Sequence, residues 1–485
     1  MRIFEPTWPR SLLGALLAGA ALWFGVGLAP GGIYAWLAPI PLLWLAFSIE
    51  APARARVAVL LATLLATSHY LGYFRLVMPL PVAIVAILAI ALLWSAVVLA
   101  TRRIVRGLGN GWSVLAYPSL WVGVDLLMAR LLPDGNWGSP AYAQADVLPL
   151  LQTASLVGMA GPLFLQCLVP SLTALLLWSG HKLGHPVRWL AATAIVLVAA
   201  LGFGSWRLAT HSIGTPVRIG LASIDDPIGP EATPHHWGPI RARYDQMVTA
   251  LAAQNARWIL LPEKIATLPP QELPAWQAHF SELARRNRVW LVVGIAEQSA
   301  TPHNYAWWFD PEGRRLANYQ KHFMAPPERA EHYAAGTAYA VDSISGLRWG
   351  LAICKDMQFA RLGRANGLRD AAAMLVPAWD FGYRDAWLSE RIAASRGVEN
   401  GYWLVRSARE GLLSISDPQG RILLKANSAP MPGSMAIATV SITPIQPTLF
   451  TRIGDAFGWL CLALSAALLV LARGSRQAGA SPNRG

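Results

Sequence analysis

Seven predominantly apolar runs, at 11–28, 32–48, 57–73, 82–100, 112–129, 150–178 and 187–206, dominate the first part of the chain, and an eighth occupies 456–472. About 20 residues at 1.5 Å rise cross the hydrocarbon core of a bilayer, so runs of this length are read as membrane helices. The composition agrees, with 54% hydrophobic and only 14% charged residues. Arg2 and Arg10 precede the first run and small residues lie near Ala29, as in a secretion signal. Cleavage there would leave six further runs before the extramembrane stretch unexplained, so 11–28 is expected to be a retained helix.

Loop charge sets the expected orientation, because Lys and Arg close to span ends stay on the cytoplasmic side. With the N-terminus inside, the inner loops carry Arg2, Arg10, Arg54, Arg56, Arg102, Arg103, Arg106, Lys182, Arg188, Arg473, Arg476 and Arg484. The short outer loops carry Arg75 and Arg130. The stretch between the seventh and eighth runs then lies outside the cytoplasm. Much of the formal net charge of +13 is explained by topology, and no nucleic-acid partner is expected. The organisation expected is a seven-span region at 1–210, an extracytoplasmic catalytic domain at 216–440, a linker with the eighth helix at 441–473, and an unstructured cytoplasmic tail at 474–485.

From Val217 onward short strands alternate with amphipathic helices, the pattern of an α/β layer structure. Strands are predicted at Val217–Ile224, Trp258–Leu261, Val289–Ile295, Asn304–Phe309, Leu316–Tyr319, Trp349–Ile353 and Met374–Val376, with a final pair at Trp403–Ser407 and Leu412–Ser416. Helices are predicted over 238–256, 272–286 and 386–400. The turn Asp310-Pro311-Glu312-Gly313 makes 304–319 a hairpin that delivers Lys321 at its end.

Three reactive residues stand at predicted strand ends: Glu263 after Trp-Ile-Leu-Leu-Pro, Lys321 after Asn-Tyr-Gln, and Cys354 after Gly-Leu-Ala-Ile. Strand ends on one edge of a sheet converge, and a carboxylate, an ammonium and a thiol together suit acyl transfer through a thioester. A carboxylate ordinarily titrates near 4.3 and a thiol near 8.5, so Glu263 serves as a base on Cys354 only where burial narrows that gap. Lys321 supplies a fixed positive charge for the oxyanion. Cys354 is the only cysteine of the extramembrane stretch, whereas Cys167 and Cys461 sit inside apolar runs as small hydrophobes. His235 and His236 are adjacent in a predicted loop without further ligands at metal spacing, so no metal and no cofactor is expected.

Glu, Lys and Cys in this order, each at a strand terminus, resemble the nitrilase superfamily. The membrane stretch narrows the likeness. Leu28-Ala29-Pro30 with Tyr34-Ala35-Trp36-Leu37-Ala38-Pro39, the segment Tyr117-Pro118-Ser119-Leu120-Trp121-Val122 followed by Asp125, and Tyr142-Ala143-Gln144 are similar to apolipoprotein N-acyltransferases, of which this chain would be a divergent member. That resemblance implies an eight-span membrane α-helical bundle with a nitrilase-like αββα sandwich inserted between spans seven and eight, in a bacterial inner membrane. It implies a ping-pong enzyme that takes an acyl chain from a phospholipid and places it on the α-amino group of a diacylglyceryl-cysteine lipoprotein. Glu263 then corresponds to the base, Lys321 to the oxyanion-stabilising lysine and Cys354 to the acylated nucleophile.

Supporting residues follow from the same likeness. The family places a second glutamate after its lysine, for which Glu328 is the candidate at a spacing one residue short. Cys354-Lys355-Asp356 stands where the family has Cys-Tyr-Glu, so Asp356 keeps the carboxylate and Lys355 replaces an aromatic ring with a charge. Trp379 lies in Pro377-Ala378-Trp379-Asp380-Phe381-Gly382, a variant of the loop that shapes the acceptor pocket. Cys-Lys-Asp also resembles soluble amidases of the superfamily, so a membrane-anchored amidase, or an acyltransferase paralogue using another amine acceptor, is the alternative. Both substrates are lipids, and drawing an acyl chain into water costs about 0.8 kcal/mol per methylene. A lipid-facing mouth formed by Trp137, Tyr142, Trp379, Phe381, Tyr383 and Trp387 is therefore expected.

Overall fold

The computed structural model describes residues 7–179, 185–210, 213–226 and 234–478. Arg2, Lys182 and Arg484, counted above among the inner-loop charges, lie outside them. The chain divides into two compact units. One comprises residues up to Leu132, Asn136–Arg207 and the stretch from Ile453; the other comprises Pro133–Gly135 and Leu208–Arg452.

In the first unit, six helices among the described residues are long and apolar enough to cross a membrane: Pro52–Val77, Leu80–Leu108, Gly111–Leu131, Ala160–Trp178, Pro186–Ala209 and Ala456–Arg473. The helix Trp8–Gly25 has Arg10 in its first turn, and the apolar stretch Gly32–Ser48 is shorter and divides into Gly32–Leu37 and Pro39–Ser48. The run 150–178 is not one helix. Gly158, with φ of +69°, ends the short turn Ala154–Val157, and the long helix begins only at Ala160. The last helix continues to Ala478, into the stretch expected to be an unstructured tail. Two of the arginines assigned to loop charge also have a structural role. Arg102 donates to the carbonyls of Ala46 and Ile49 at 2.8 and 2.7 Å, and Arg106 to that of Phe47 at 2.9 Å. They satisfy carbonyls that the end of helix Pro39–Ser48 leaves without intrahelical donors.

Among the described residues, the second unit holds thirteen strands. They are β1 Thr215–Ser223, β2 Trp258–Leu260, β3 Thr267–Leu268, β4 Trp290–Glu297, β5 His303–Phe309, β6 Arg315–Gln320, β7 Val341–Ile344, β8 Leu347–Leu351, β9 Ala373–Trp379, β10 Trp403–Arg409, β11 Leu412–Ser416, β12 Ile422–Asn427 and β13 Ser434–Ile442. One sheet has the order β13-β1-β2-β4-β5-β6 with β3 on β4; the other runs β12-β11-β10-β9-β8-β7. The pair expected to be final, β10 and β11, is followed by two more strands. β12 extends the second sheet, and β13 returns to pair antiparallel with β1.

β2 and β4 are parallel neighbours, and their residues are apolar up to Glu297 at the end of β4, as for strands covered on both faces. Between the sheets lies a shared core in which Trp258 stacks on Trp349 at 3.8 Å and on Trp290 at 5.2 Å. Helices Pro234–Ala253 and Leu273–Asn287 cover the outer face of the first sheet through Tyr244, Met247, Leu251, Trp276 and Phe280. Leu362 of helix Ala360–Gly367 and Ala393 of helix Tyr383–Asn400 pack on Met374, Val376 and Leu404 of the second. The result is an αββα sandwich. His235 and His236 belong to the first turn of helix Pro234–Ala253 rather than to a loop.

Candidate active site

Glu263, Lys321 and Cys354 line one cleft. They do not come from one sheet edge. Glu263 follows β2 and Lys321 follows β6 in the first sheet, whereas Cys354 follows β8 in the second, so the site is assembled where the two layers meet. The backbone N–H of Glu263 donates across the layers to the carbonyl of Ala378 on β9 at 3.3 Å. Beyond β2 the chain keeps its pairing with β4, through Leu261 N–H to Val292 O and Ile265 N–H to Gly294 O, both 2.9 Å. Gly294 is required there, because a Cβ would lie 2.6 Å from the Cα of Glu263 and would also strike the carbonyl of Pro262.

Charge is concentrated at this loop. Lys321 Nζ donates to Glu263 Oε1 and to Glu328 Oε2, each at 2.7 Å. Asn304, on β5, donates through Nδ2 to Glu263 Oε1 at 2.6 Å and to Glu328 Oε1 at 2.7 Å, and its carbonyl accepts from the Lys321 backbone N–H at 2.9 Å. Glu328 sits in the first turn of helix Pro326–Ala330, where its Oε2 also accepts from Ala325 N–H at 2.8 Å. A second ammonium completes the group: Lys264 Nζ lies 2.8 Å from Glu328 Oε1 and 4.2 Å from the centre of the Tyr333 ring. The side chains of Lys321, Glu263, Glu328 and Lys264 are between 1% and 7% exposed.

Burial opposes both charged members, yet their partners prevail. For Lys321, burial pulls the ammonium down, but Glu263 and then Glu328 outweigh it and hold the group well above the usual lysine range. For Glu328, burial pushes the carboxyl up, but Lys321 and then Lys264 outweigh it and keep it well below the usual carboxylate range. Cys354 is the opposite case. Burial pushes its thiol well up and the Glu263 carboxylate adds to this, while Lys321 pulls the other way. The thiol donates to the carbonyl of Trp379 at 3.3 Å. Both Lys264 and Cys354 occupy the left-handed region, with φ of +50° and +43°. Such backbone in a non-glycine residue costs on the order of 1–3 kcal/mol and gathers at functional sites.

The remaining sequence-derived candidates separate. Glu328 joins the cleft, and Trp379 and Phe381 line it. Asp356 is a tie below it, whose carboxylate accepts from Ile353 N–H at 2.9 Å, His322 N–H at 3.0 Å, Phe323 N–H at 2.9 Å and Tyr319 OH at 2.7 Å. It thereby fixes the turn carrying Cys354 to the segment that follows Lys321. Lys355 does not line the cleft. It pairs with Asp134, which Arg329 also holds through two bonds of 2.9 Å, and burial lowers its ammonium to about 8 despite that carboxylate. Asp380 is paired with Arg406, one bond being 3.0 Å. Of the expected aromatic mouth, Tyr142 is only 1% exposed and Trp137 stacks on Tyr73 at 5.2 Å in the first unit; the side chain of Tyr383 is outside the described set. Lys264 and Asn304 are the site residues that the sequence reading missed.

An αββα sandwich whose layers bring a glutamate, a lysine and a cysteine into one cleft defines a carbon–nitrogen hydrolase domain, and residues 238–448 match the family model "Carbon-nitrogen hydrolase". Residues 18–172 match "Apolipoprotein N-acyltransferase N-terminal domain". The chain belongs to the apolipoprotein N-acyltransferase family. Relatives of that name include a Geobacter metallireducens protein, 26% identical over 97% of this chain and 96% of its own length. Another, from Gloeobacter violaceus, is 27% identical over 85% of each. Among solved structures, the amidase of Nesterenkonia sp. AN1 aligns with 50% of this chain and 97% of its own at 21% identity and a TM-score of 0.41.

Proposed function

We propose that this protein moves a fatty acyl chain from a membrane phospholipid, through a thioester on Cys354, to the α-amino group of a diacylglyceryl-cysteine lipoprotein. The observation that carries the chemistry is the shared grip of Lys321 on Glu263 and Glu328 in the cleft that Cys354 lines. The family supplies the substrate class. An amidase, or transfer to a different amine, is not favoured, because relatives matching along nearly the whole chain are named apolipoprotein N-acyltransferases.

In this reading Glu263 takes the thiol proton as Cys354 Sγ attacks the donor ester carbonyl. Lys321 stabilises the oxyanion of the tetrahedral intermediate. Collapse breaks the ester C–O bond, and Glu263 returns its proton to the departing lysophospholipid oxygen. The lipoprotein amine then attacks the thioester carbonyl, Glu263 accepts an N–H proton, and the thiolate leaves and is reprotonated. An amide replaces a thioester, so the second half-reaction draws the first forward.

The proposed setting is a multi-pass protein of the bacterial inner membrane. Trp8–Gly25 and Gly32–Ser48 join the six long helices to give eight spans, with both termini cytoplasmic and the catalytic domain, about 216–440, periplasmic. Incubating purified protein with phospholipid and a synthetic diacylated lipopeptide tests the transfer. The lipopeptide should gain one acyl mass on its N-terminal amine, and an N-acetylated lipopeptide should gain none. Acyl transfer to water alone would refute the proposal.

A further inference from the structure

Lys264 is the unexpected charge of the cleft. The four buried groups Glu263, Glu328, Lys321 and Lys264 form two carboxylates and two ammoniums joined by contacts of 2.7 and 2.8 Å. Without Lys264, Lys321 alone would serve both carboxylates, and the group would carry a net negative charge beside the thiol that must ionise. In a buried setting such an imbalance is expensive, because the interaction between two charges strengthens as the effective dielectric around them falls. The geometry of Lys264 is built for this partner. Its φ of +50° turns the side chain back toward the cleft, the ring of Tyr333 lies 4.2 Å from its ammonium, and its side chain is 7% exposed.

We infer that Lys264 is a positioning residue that neutralises Glu328, leaving the charge of Lys321 for the thiolate and the oxyanion at Cys354. Glu328 orients Lys321, and Lys264 cancels the unfavourable field that Glu328 would otherwise cast on the nucleophile. The other groups acting on the Cys354 thiol are Glu263, Lys321, Asp380 and Arg406, and the last two pair with each other. Glu331, which also lines the cleft, is exposed to water and therefore screened.

The test uses full-length protein in detergent and reads the rate of iodoacetamide alkylation at Cys354 against pH, by peptide mapping that separates it from Cys167 and Cys461. Lys264→Met should move the midpoint up by about one pH unit, slowing alkylation at neutral pH on the order of tenfold, while Lys264→Arg should return most of the wild-type profile. An unchanged midpoint in folded Lys264→Met, or a Lys264→Arg profile no better than that of Met, overturns the inference; so does a fall in melting temperature without a midpoint shift. Should Lys264→Met not fold, Lys264→Gln, which keeps a hydrogen bond to Glu328 but not the charge, is read by the same criteria. The mechanistic part rests on the proposed acyl transfer, but the alkylation profile needs no substrate. A shifted midpoint in a protein that forms no thioester with phospholipid would retain the role of Lys264 and reject the acyl-transfer reading.

Discussion

Two lysines directly follow members of the proposed triad, and they face opposite situations. Lys264, after Glu263, is turned into the cleft, onto a glutamate that is itself 5% exposed. Lys355, after Cys354, is turned away from the cleft onto Asp134, whose side chain is 45% exposed and also held by Arg329. One cluster is closed and every charge in it depends on the others. The other shares its carboxylate with water. Breaking a closed buried cluster leaves an uncompensated charge, whereas an open pair is worth about 1 kcal/mol or less. Proximity to a catalytic residue in sequence therefore says less than the burial of the partner.

The largest effect should come from the closed cluster's base. Glu263→Gln keeps the size and the hydrogen bond from Asn304 but cannot accept the thiol proton, so single-turnover thioester formation should fall by about 10²–10⁴-fold. A smaller loss would mean that another group takes the proton. Next, Lys321→Met leaves Glu263 and Glu328 facing each other, and should lower stability by about 3–5 kcal/mol, read as a marked drop in melting temperature. A drop no greater than that of an exposed pair would show that the cluster is not closed.

Glu328 adds a pH signature. Its carboxyl is held below its unfolded value, so its stabilisation is present above about pH 4.3 and is lost as pH falls toward the folded value. The melting difference between wild type and Glu328→Gln should accordingly be constant from pH 7 to about 5 and shrink in stronger acid. A difference that grows with acidification would reverse the assigned sign. The smallest effect belongs to the open cluster. Lys355→Met leaves Asp134 bound to Arg329 and to water, and should change stability by about 1 kcal/mol or less. A cost as large as that of Lys321→Met would erase the contrast.

The two regions also differ in what their sequence disclosed. Glu263, Lys321 and Cys354 were legible because each follows a short strand, apolar for Glu263 and Cys354 and marked by the hairpin turn for Lys321, and strand ends in a layered α/β domain open onto its site. Their convergence was legible, but not its origin in two sheets, since sheet membership depends on long-range pairing such as β13 on β1. Lys264 was hidden because neighbours along extended backbone point to opposite sides, a rule that its left-handed backbone breaks. Asn304 read as an ordinary first residue of a hairpin strand; its contact with both glutamates appears only when β5 lies beside β4 and β6. In the membrane unit, hydropathy marked where apolar segments lie, but not that 150–178 would break, first at Gln152 and again at Gly158. β12 and β13 escaped because their alternation is partly exposed and their turns sit beyond the last buried pair.

The central claim is that the closed cluster prepares Cys354 for acylation, and intact-mass measurement of the purified protein after incubation with phospholipid tests it most directly. Wild-type protein should gain the mass of one acyl chain, labile to neutral hydroxylamine, and Cys354→Ala should gain none. No adduct on the wild type, or the same adduct on Cys354→Ala, would contradict it.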